Sequence, residues 1–247
     1  MTNGATALDE VEAVLAAAAA GLDPRRVAER RRYMKSAMPL LGLAVPAQRA
    51  ILKRGFSFSR APFAPQFALW DHVWWHARSH EAKILAAFWV EGARGEPGPA
   101  EMWRLIAPWS AGIACWDMSD VLSGLHARLL EAAPEVVLPD LTRWNHDPNP
   151  WLRRQSVVSL LYQARMRRRV SPATTILALV APLLGDPDHY VQKGVGWCLR
   201  EASVVHPEAV AEFLRRRARE VSSTAWSAAG EKLDPDLRAE IAAARRG

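Results

Sequence analysis

The sequence predicts an all-helical protein made of stacked helix pairs, and three observations support this prediction. Almost every segment places apolar residues at helical spacing, and no run shows sustained period-two alternation. Alanine, leucine, arginine and glutamate are abundant, and all four are good helix formers. Two segments that lie 39 residues apart repeat each other, as helix pairs in a stack do.

Turn-forming residues divide the chain into predicted helices of about 10 to 20 residues joined by short turns. No shift in composition marks a flexible linker, so we expect one domain over residues 1–247. The predicted breaks fall at Gly21 to Pro24, Gly42 to Pro46, Gly95 to Pro99, Asp147 to Pro150, Gly185 to Pro187, and His206-Pro207.

The internal repeat pairs Asp147 to Arg154 with Asp186 to Lys193. We expect Asn149 and Asp188 to cap the helix that follows in each copy, and Pro150 suits a first helical position because its missing N–H is not needed there. A period near 40 residues in a helical chain is typical of HEAT-like repeats, which stack into a curved solenoid. The concave side of such a solenoid would offer a basic groove wide enough for duplex DNA.

The composition excludes several classes of protein. Half of the residues are apolar, which argues against disorder, yet no run approaches the roughly 20 apolar residues of a membrane helix. The alanine-rich segment Val11 to Leu22 follows acidic residues rather than the basic residues of a signal peptide, so we expect an ordinary helix and a cytoplasmic protein. Cys115 and Cys198 form neither a disulfide framework nor a metal cluster, and no histidine stands at metal-ligand spacing from a cysteine or carboxylate. We therefore expect no metal and no cofactor.

The net charge of +6 comes mostly from arginine and favours a nucleic-acid partner. A planar guanidinium donates two parallel hydrogen bonds to phosphate, which makes arginine well suited to this ligand. Eleven tryptophans also favour aromatic platforms, although most tryptophans serve in cores. Basic runs are more often solvated faces than ligand contacts, and three occur here: Arg30 to Arg32, Arg165 to Arg169, and Arg215 to Arg217.

Two groups of residues are candidates for chemistry or binding. Trp116 and Asp120 are four residues apart and share one face of a predicted helix, while Asp117 points elsewhere. Such a pair can hold a carboxylate beside an aromatic wall, or it can be a core tryptophan with an aspartate at the rim. Arg154 and Lys193 occupy equivalent repeat positions, where they could follow a phosphate backbone or simply face solvent.

Two glycines interrupt the predicted helix that follows Lys193. Gly194 and Gly196 each cost about 1 kcal/mol relative to alanine inside a helix. Either a neighbouring helix or a ligand backbone could require the missing side chains. We expect close helix packing to be the reason.

Taken together, these residues resemble the DNA alkylation repair family of AlkD-like glycosylases over roughly Tyr33 to Leu233. The segments that carry the resemblance occur in order: Tyr33-Met34-Lys35 with Leu41-Gly42-Leu43, Pro46 and Arg49; then Trp116 to Asp120; then Trp151-Leu152-Arg153-Arg154; and finally Gln192 to Trp197 with Leu199-Arg200-Glu201.

The resemblance implies a HEAT-like solenoid that cradles duplex DNA. We expect a monomer, because a solenoid groove needs no second subunit to reach DNA. The resemblance further implies hydrolysis of the N-glycosidic bond of N3- and N7-alkylated purines in base excision repair, largely without extruding the base from the stack. No cofactor, metal or membrane is implied, and a cytoplasmic enzyme of this family would associate with the nucleoid when it binds DNA.

The resemblance also implies roles for individual residues. Asp120 would be the catalytic carboxylate, with Trp116 and Trp197 as aromatic walls around the lesion nucleotide. Arg154 would hold a backbone phosphate near the lesion, and Arg200 would be a further phosphate contact. Additional candidates for DNA binding are Lys193, Arg153, Tyr33 and Lys35.

One position departs from the family pattern. Cys115 stands where the family commonly has the first of two adjacent tryptophans. The retained Trp116 keeps the four-residue spacing to Asp120, so the resemblance still predicts activity, with altered packing or lesion preference. Three alternatives remain open: a non-catalytic scaffold that binds damaged DNA, a glycosylase for bulky adducts of a natural product, and a protein-interaction module.

Overall fold

A computed structural model describes residues 2–93, 97–160 and 169–246, and these residues form an all-helical structure with no strand among them. The predicted fold class is therefore confirmed. None of the described helices combines the length and the apolar character needed to span a bilayer. The helices are α1 Gly4–Ala19, α2 Pro24–Met34, α3 Val45–Arg54, α4 Phe63–His76, α5 His80–Gly92, α6 Pro99–Ile106, α7 Trp116–Ala132, α8 Pro134–Trp144, α9 Pro150–Val158, α10 Ala173–Val180, α11 His189–Val205, α12 Pro207–Arg217, α13 Ser223–Ala229 and α14 Pro235–Ala244.

Most predicted breaks coincide with observed helix boundaries. Proline begins α2, α9 and α12, where its missing N–H has no intrahelical partner to lose. Pro134 and Pro235 begin α8 and α14 in the same way, at positions where no break was predicted. Residues 94–96 of the break at Gly95 and residues 165–168 of the second arginine run lie outside the described residues.

The chain divides into two compact units. The N-terminal unit comprises residues 1–98 and 112–121, and the C-terminal unit comprises residues 99–111 and 122–247. Helices α1 to α5 and the first residues of α7 belong to the N-terminal unit. Helix α6, the remainder of α7 and helices α8 to α14 belong to the C-terminal unit. That the whole chain acts as one domain stays a prediction.

Helix α5 is the central element of the N-terminal unit. Helices α1, α3 and α4 pack against it, and every residue from His80 to Phe88 is buried. A helix that is buried on all sides must satisfy its polar side chains inside the protein. The surrounding apolar core includes Trp70 and Trp74 of α4, which are fully buried.

The segment between α2 and α3 is held by the buried carboxylate of Glu81. This carboxylate accepts hydrogen bonds from the backbone N–H groups of Leu41, Gly42 and Leu43 at 3.0, 2.7 and 3.1 Å. Gly42 has a φ of +94°, and a Cβ there would lie 2.7 Å from a methyl of Val27. The Leu-Gly-Leu motif therefore follows from a backbone turn that only glycine can make at this spacing.

The C-terminal unit is a stack of helix pairs in two layers. Helices α9, α11 and α13 pack side by side in one layer, and α8, α10, α12 and α14 form the other. The C-terminal part of α7 joins the first layer, since Ser123 donates a hydrogen bond to Gln155 of α9, 3.4 Å away. This arrangement agrees with the helix pairs that the 39-residue repeat predicts.

The two repeat copies have the same local geometry. Asn149 accepts a hydrogen bond from the N–H of Trp151, and Asp188 accepts bonds from the N–H groups of Tyr190 and Val191, so both predicted caps are confirmed. The rings of Trp151 and Tyr190, which occupy equivalent positions, stack with centroids 5.2 Å apart. The capping groups thus fix where α9 and α11 begin, and the aromatic pair joins the two copies.

Close packing explains why glycine stands at two positions inside α11, as predicted from the sequence. A Cβ at Gly196 would lie 2.3 Å from the carbonyl oxygen of Ala225 in α13. A Cβ at Gly194 would lie 3.2 Å from Cγ of Arg154 in α9. Glycine therefore lets α11 approach α13 at one point and the Arg154 side chain at the other.

We expect Gly196→Ala to lower the free energy of unfolding by about 1 to 3 kcal/mol, because overpacking outweighs the roughly 1 kcal/mol gain in helix propensity. Gly92→Ala in α5 is the matched control, since an added Cβ there would meet no described atom within 4 Å. Urea denaturation of both variants measures the difference. Equal stability of the two variants would contradict the packing argument.

We expect Glu81→Gln to destabilise the protein by about 2 to 3 kcal/mol, because a buried amide replaces a carboxylate that accepts three backbone hydrogen bonds. Glu212→Gln is the control. It breaks only the exposed ion pair with Arg216, so its cost should stay below about 0.5 kcal/mol. Similar losses of unfolding free energy in the two variants would argue against the role of Glu81.

Candidate functional site

The predicted site residues are distributed over both units. Each unit therefore contains part of the predicted set, and the geometry within each is described separately. Tyr33, Lys35, Trp116 and Asp120 belong to the N-terminal unit, whereas Arg153, Arg154, Lys193, Trp197 and Arg200 belong to the C-terminal unit.

In the N-terminal unit, Tyr33 and Trp116 form an aromatic pair beside Asp120. Trp116 is the first residue of α7, and Asp120 lies one turn later on the same face. Both side chains are half-buried. Tyr33 lies in the last turn of α2 with 70% of its surface exposed, and its ring and that of Trp116 meet edge to face with centroids 5.5 Å apart. The arrangement is a half-buried carboxylate on the same helix face as an aromatic wall.

Lys35 caps the helix that carries Tyr33. It adopts a left-handed conformation with φ of 48°, and its backbone N–H donates to the carbonyl of Arg31. Its side chain is exposed. Lys35 thus follows the last helical residue, Met34, and leaves its ammonium available to an anion.

Buried polar residues of α5 hold the segments on either side of the aromatic pair. After Tyr33, the backbone N–H of His80 donates to the carbonyl of Pro39 at 2.8 Å, next to the turn that Glu81 binds. Before Trp116, the ammonium of Lys83 donates to the carbonyl of Gly112 at 2.6 Å. Helix α5 thereby fixes both chain segments that present the aromatic pair.

The start of α7 is held by a hydrogen-bonded cluster of His80, Cys115 and Asp117. His80 Nε2 lies 2.9 Å from one carboxylate oxygen of Asp117, and the Cys115 thiol donates to the other at 2.7 Å. His80 thus meets a cysteine and a carboxylate in space, although no histidine stands at metal-ligand spacing from either along the sequence. His80 precedes Cys115 by 35 positions and Asp117 by 37, so spacing along the sequence could not reveal the cluster.

The donor types of this cluster suit a metal ion and the ligand atoms lie within 4.8 Å of one another, but two of the separations are those of hydrogen bonds. Two ligands of one tetrahedral zinc ion stand roughly 3.3 to 3.6 Å apart, given bond lengths near 2.0 to 2.3 Å. The 2.7 and 2.9 Å separations are hydrogen-bond distances instead. Burial and the neighbouring Asp117 raise the pKa of Cys115 to about 12, which keeps the thiol protonated and able to donate. The hydrogen bonds of the cluster hold Asp117 at the start of α7.

In the C-terminal unit, Arg154 and Lys193 differ in exposure despite their equivalent repeat positions. Arg154 is 4% exposed, and its guanidinium donates to the carbonyl of Tyr190 at 2.7 Å. Lys193 is exposed on α11. The difference arises because Arg154 lies against Gly194 of the next repeat, so the two cations do not form an evenly exposed row.

Two further predicted DNA contacts have carboxylate partners within the chain. Arg153 forms a two-point ion pair with Asp186 at 2.6 and 3.1 Å, and this pair links the two repeat turns. Arg200 binds Glu201 at 3.1 Å and Glu231 at 2.8 Å. The geometry favours a structural role for Arg153, while Arg200 keeps a partly exposed side chain.

Trp197 is half-buried and packs against the apolar core of the C-terminal unit. Its position on α11, four residues after Lys193, places the two side chains on one face of that helix. The C-terminal unit therefore presents an aromatic ring and an exposed cation together.

The polar side chains of α5 help to position the site, and the sequence predicted no such role for them. A signal was present, because His80, Glu81 and Lys83 interrupt a segment that is otherwise rich in alanine, leucine, isoleucine and phenylalanine. Charged residues in such a run indicate buried polar contacts. The partners of those contacts are far away in the sequence and could not be read from it.

Comparison with known proteins places the chain in a family. The model of the DNA alkylation repair enzyme family matches residues 13–233. The solved structure of a predicted DNA alkylation repair enzyme from Enterococcus faecalis has the same fold, with a TM-score of 0.67 and 19% identity over 86% of this chain and 97% of that chain. No curated protein matches the chain significantly. Because the family match runs through most of both units, this chain belongs to the DNA alkylation repair enzyme family and has a role in the repair of alkylated DNA.

Proposed function

We propose that the protein is a monofunctional DNA glycosylase that hydrolyses the N-glycosidic bond of N3- and N7-alkylated purines in duplex DNA. The observation that carries this proposal is the half-buried Asp120 on the same face of α7 as Trp116, whose ring makes an edge-to-face contact with Tyr33. Membership of a DNA alkylation repair family supports the substrate class.

Asp120 is suited to the chemistry of an alkylated purine. Alkylation at N3 or N7 makes the base cationic, so it leaves as a neutral base without a strong general acid. The sugar then develops oxocarbenium character, which a nearby carboxylate stabilises by roughly 3 to 4 kcal/mol. The same carboxylate can accept a proton from the attacking water as a general base.

The aromatic residues supply a second electrostatic contribution. A tryptophan face attracts a cationic base or sugar by about 0.5 to 2 kcal/mol through the ring quadrupole. Trp116 is assigned this role in the N-terminal unit, and Trp197 is assigned it in the C-terminal unit. Such contacts leave the size of the adduct unrestricted, which would let the enzyme accept methylated purines and bulkier adducts.

The cations are assigned to the phosphate backbone rather than to bases. Lys193 and Lys35 are exposed and suit direct phosphate contact. Arg154 and Arg200 are proposed to contribute near the lesion, since guanidinium groups can bind phosphate while keeping a contact within the protein. Arg153 is engaged with Asp186 and is proposed to position the repeat turn instead.

We expect Asp120→Asn to slow base release from duplex DNA containing N7-methylguanine by about 100- to 1,000-fold, the usual effect of losing one preorganised electrostatic group. Duplex affinity should stay close to that of the wild type, because the variant keeps the cationic residues. Single-turnover base release and fluorescence anisotropy measure the two quantities. Asp9→Asn is the charge-matched control, since Asp9 forms only an exposed ion pair with Arg78.

The outcomes separate the alternatives. Normal base release by Asp120→Asn would refute the proposed mechanism. Tight damage-dependent binding without release of N7-methylguanine or of a bulky N3-alkyladenine would identify a non-catalytic scaffold. Release of the bulky base alone would identify an enzyme specialised for bulky adducts.

We expect Lys193→Ala to lower the slope of log Kd against log salt concentration by about 1, because one fewer phosphate is neutralised. Lys232→Ala is the control, since its ammonium is paired with Glu201 at 2.9 Å. Weak binding of the wild type with little dependence on salt would instead favour a protein-interaction module.

A further inference from the structure

The two arginine runs that the structure describes completely have different electrostatic surroundings. In α12, Arg215 pairs with Glu240 at 2.8 Å, Arg216 pairs with Glu212 at 2.6 Å, and Arg217 pairs with Glu220. These residues also occupy the last turn of their helix, where the helix dipole favours cations. Contacts within the chain therefore explain how α12 accommodates three consecutive arginines.

Helix α2 is explained within the chain only at its end, where Arg31 and Arg32 lie in the last turn and Arg31 donates to the carbonyl of Leu40. It contains five arginines and one glutamate, and no described carboxylate forms an ion pair with Arg25, Arg26 or Arg30. Arg25 and Arg26 lie in the first turn, where the helix dipole disfavours positive charge. Arg26 and Arg30 are four residues apart, and like charges at this spacing weaken a helix.

Two of the five α2 arginines share one face of the helix with Tyr33. Arg26, Arg30 and Tyr33 follow the i, i+4, i+7 pattern and so lie along one side of the helix. Arg25 and Arg26 are exposed, and Arg30 is partly exposed. Tyr33 at the end of this row contacts Trp116, so the row of guanidinium groups leads to the proposed aromatic wall.

We propose that this face of α2, formed by Arg26, Arg30 and Tyr33 with Arg25 beside it, binds the phosphate backbone of duplex DNA next to the lesion. A polyanion offsets the repulsion between Arg26 and Arg30, and it adds to the Asp23 carboxylate that caps the positive end of the helix dipole. This inference rests on the proposed function in one respect, namely that DNA is the ligand. The arginines of α12, which are paired with carboxylates, are not expected to bind phosphate.

Charge-matched variants of the two helices test the inference. Arg26→Ala with Arg30→Ala and Arg215→Ala with Arg216→Ala each remove two positive charges, so any effect of net charge alone is equal in the two proteins. The affinity for a short undamaged duplex is measured by fluorescence anisotropy at several salt concentrations. Thermal unfolding verifies that both variants are folded, and the α2 variant should melt at the wild-type temperature or above it because a like-charge pair is removed.

The expected result is a slope of log Kd against log salt concentration that falls by about 2 in the α2 variant and stays at the wild-type value in the α12 variant. Equal slopes in the two variants, or a wild-type protein that does not bind the duplex, would overturn the inference. Base release by the wild-type protein is measured on N7-methylguanine DNA in parallel. A changed slope without base release refutes only the glycosylase proposal, whereas base release with an unchanged slope refutes only the role of α2.

Discussion

Three ionisable side chains at the start of α5 are buried in an otherwise apolar helix, and each must find a partner inside the N-terminal unit. The Glu81 carboxylate accepts hydrogen bonds from the backbone of the α2–α3 segment. Lys83 donates a hydrogen bond to the carbonyl of Gly112, and His80 forms one with the carboxylate of Asp117. An unsatisfied buried charge would cost several kcal/mol, so these contacts leave little freedom to the segments involved. Because those segments carry Tyr33 and Trp116, the geometry of the aromatic pair depends on the polar residues of a helix that contributes no predicted site residue.

The C-terminal unit positions its residues by a different principle. Its helix pairs repeat, but side chains at equivalent repeat positions differ in burial and in hydrogen-bond partners because their neighbours differ. Gly194 leaves room for the side chain of Arg154, which is the reason that one cation of the repeat is buried and its counterpart Lys193 is exposed. Arg153 links successive turns through Asp186, while Gln192 at the equivalent position of the next copy donates to the carbonyls of its own turn. A repeated sequence therefore need not present a repeated surface.

The electrostatics of arginine depend on what surrounds it rather than on the length of the run. The α12 guanidinium groups are paired with carboxylates and placed at the favourable end of their helix, so they need no external ligand. The α2 run also lies near the C-terminal end of its helix, but no described carboxylate forms an ion pair with Arg30, Arg31 or Arg32. Basic runs that are indistinguishable by composition can thus be separated once their ion pairs are known.

The sequence by itself determined the helical fold class, the helix-pair repeat with its Asn149 and Asp188 caps, and the family. These features depend on local propensity, on turn chemistry and on motifs that occupy a few adjacent residues, all of which are visible in a linear chain. It also predicted that packing explains Gly194 and Gly196, since a glycine inside a helix has few other uses. Only the tertiary structure revealed the α5 contacts, the His80–Cys115–Asp117 cluster and the unequal exposure of Arg154 and Lys193. Each of these joins residues that are distant in sequence, and burial and pairing are properties of the folded arrangement rather than of residue type.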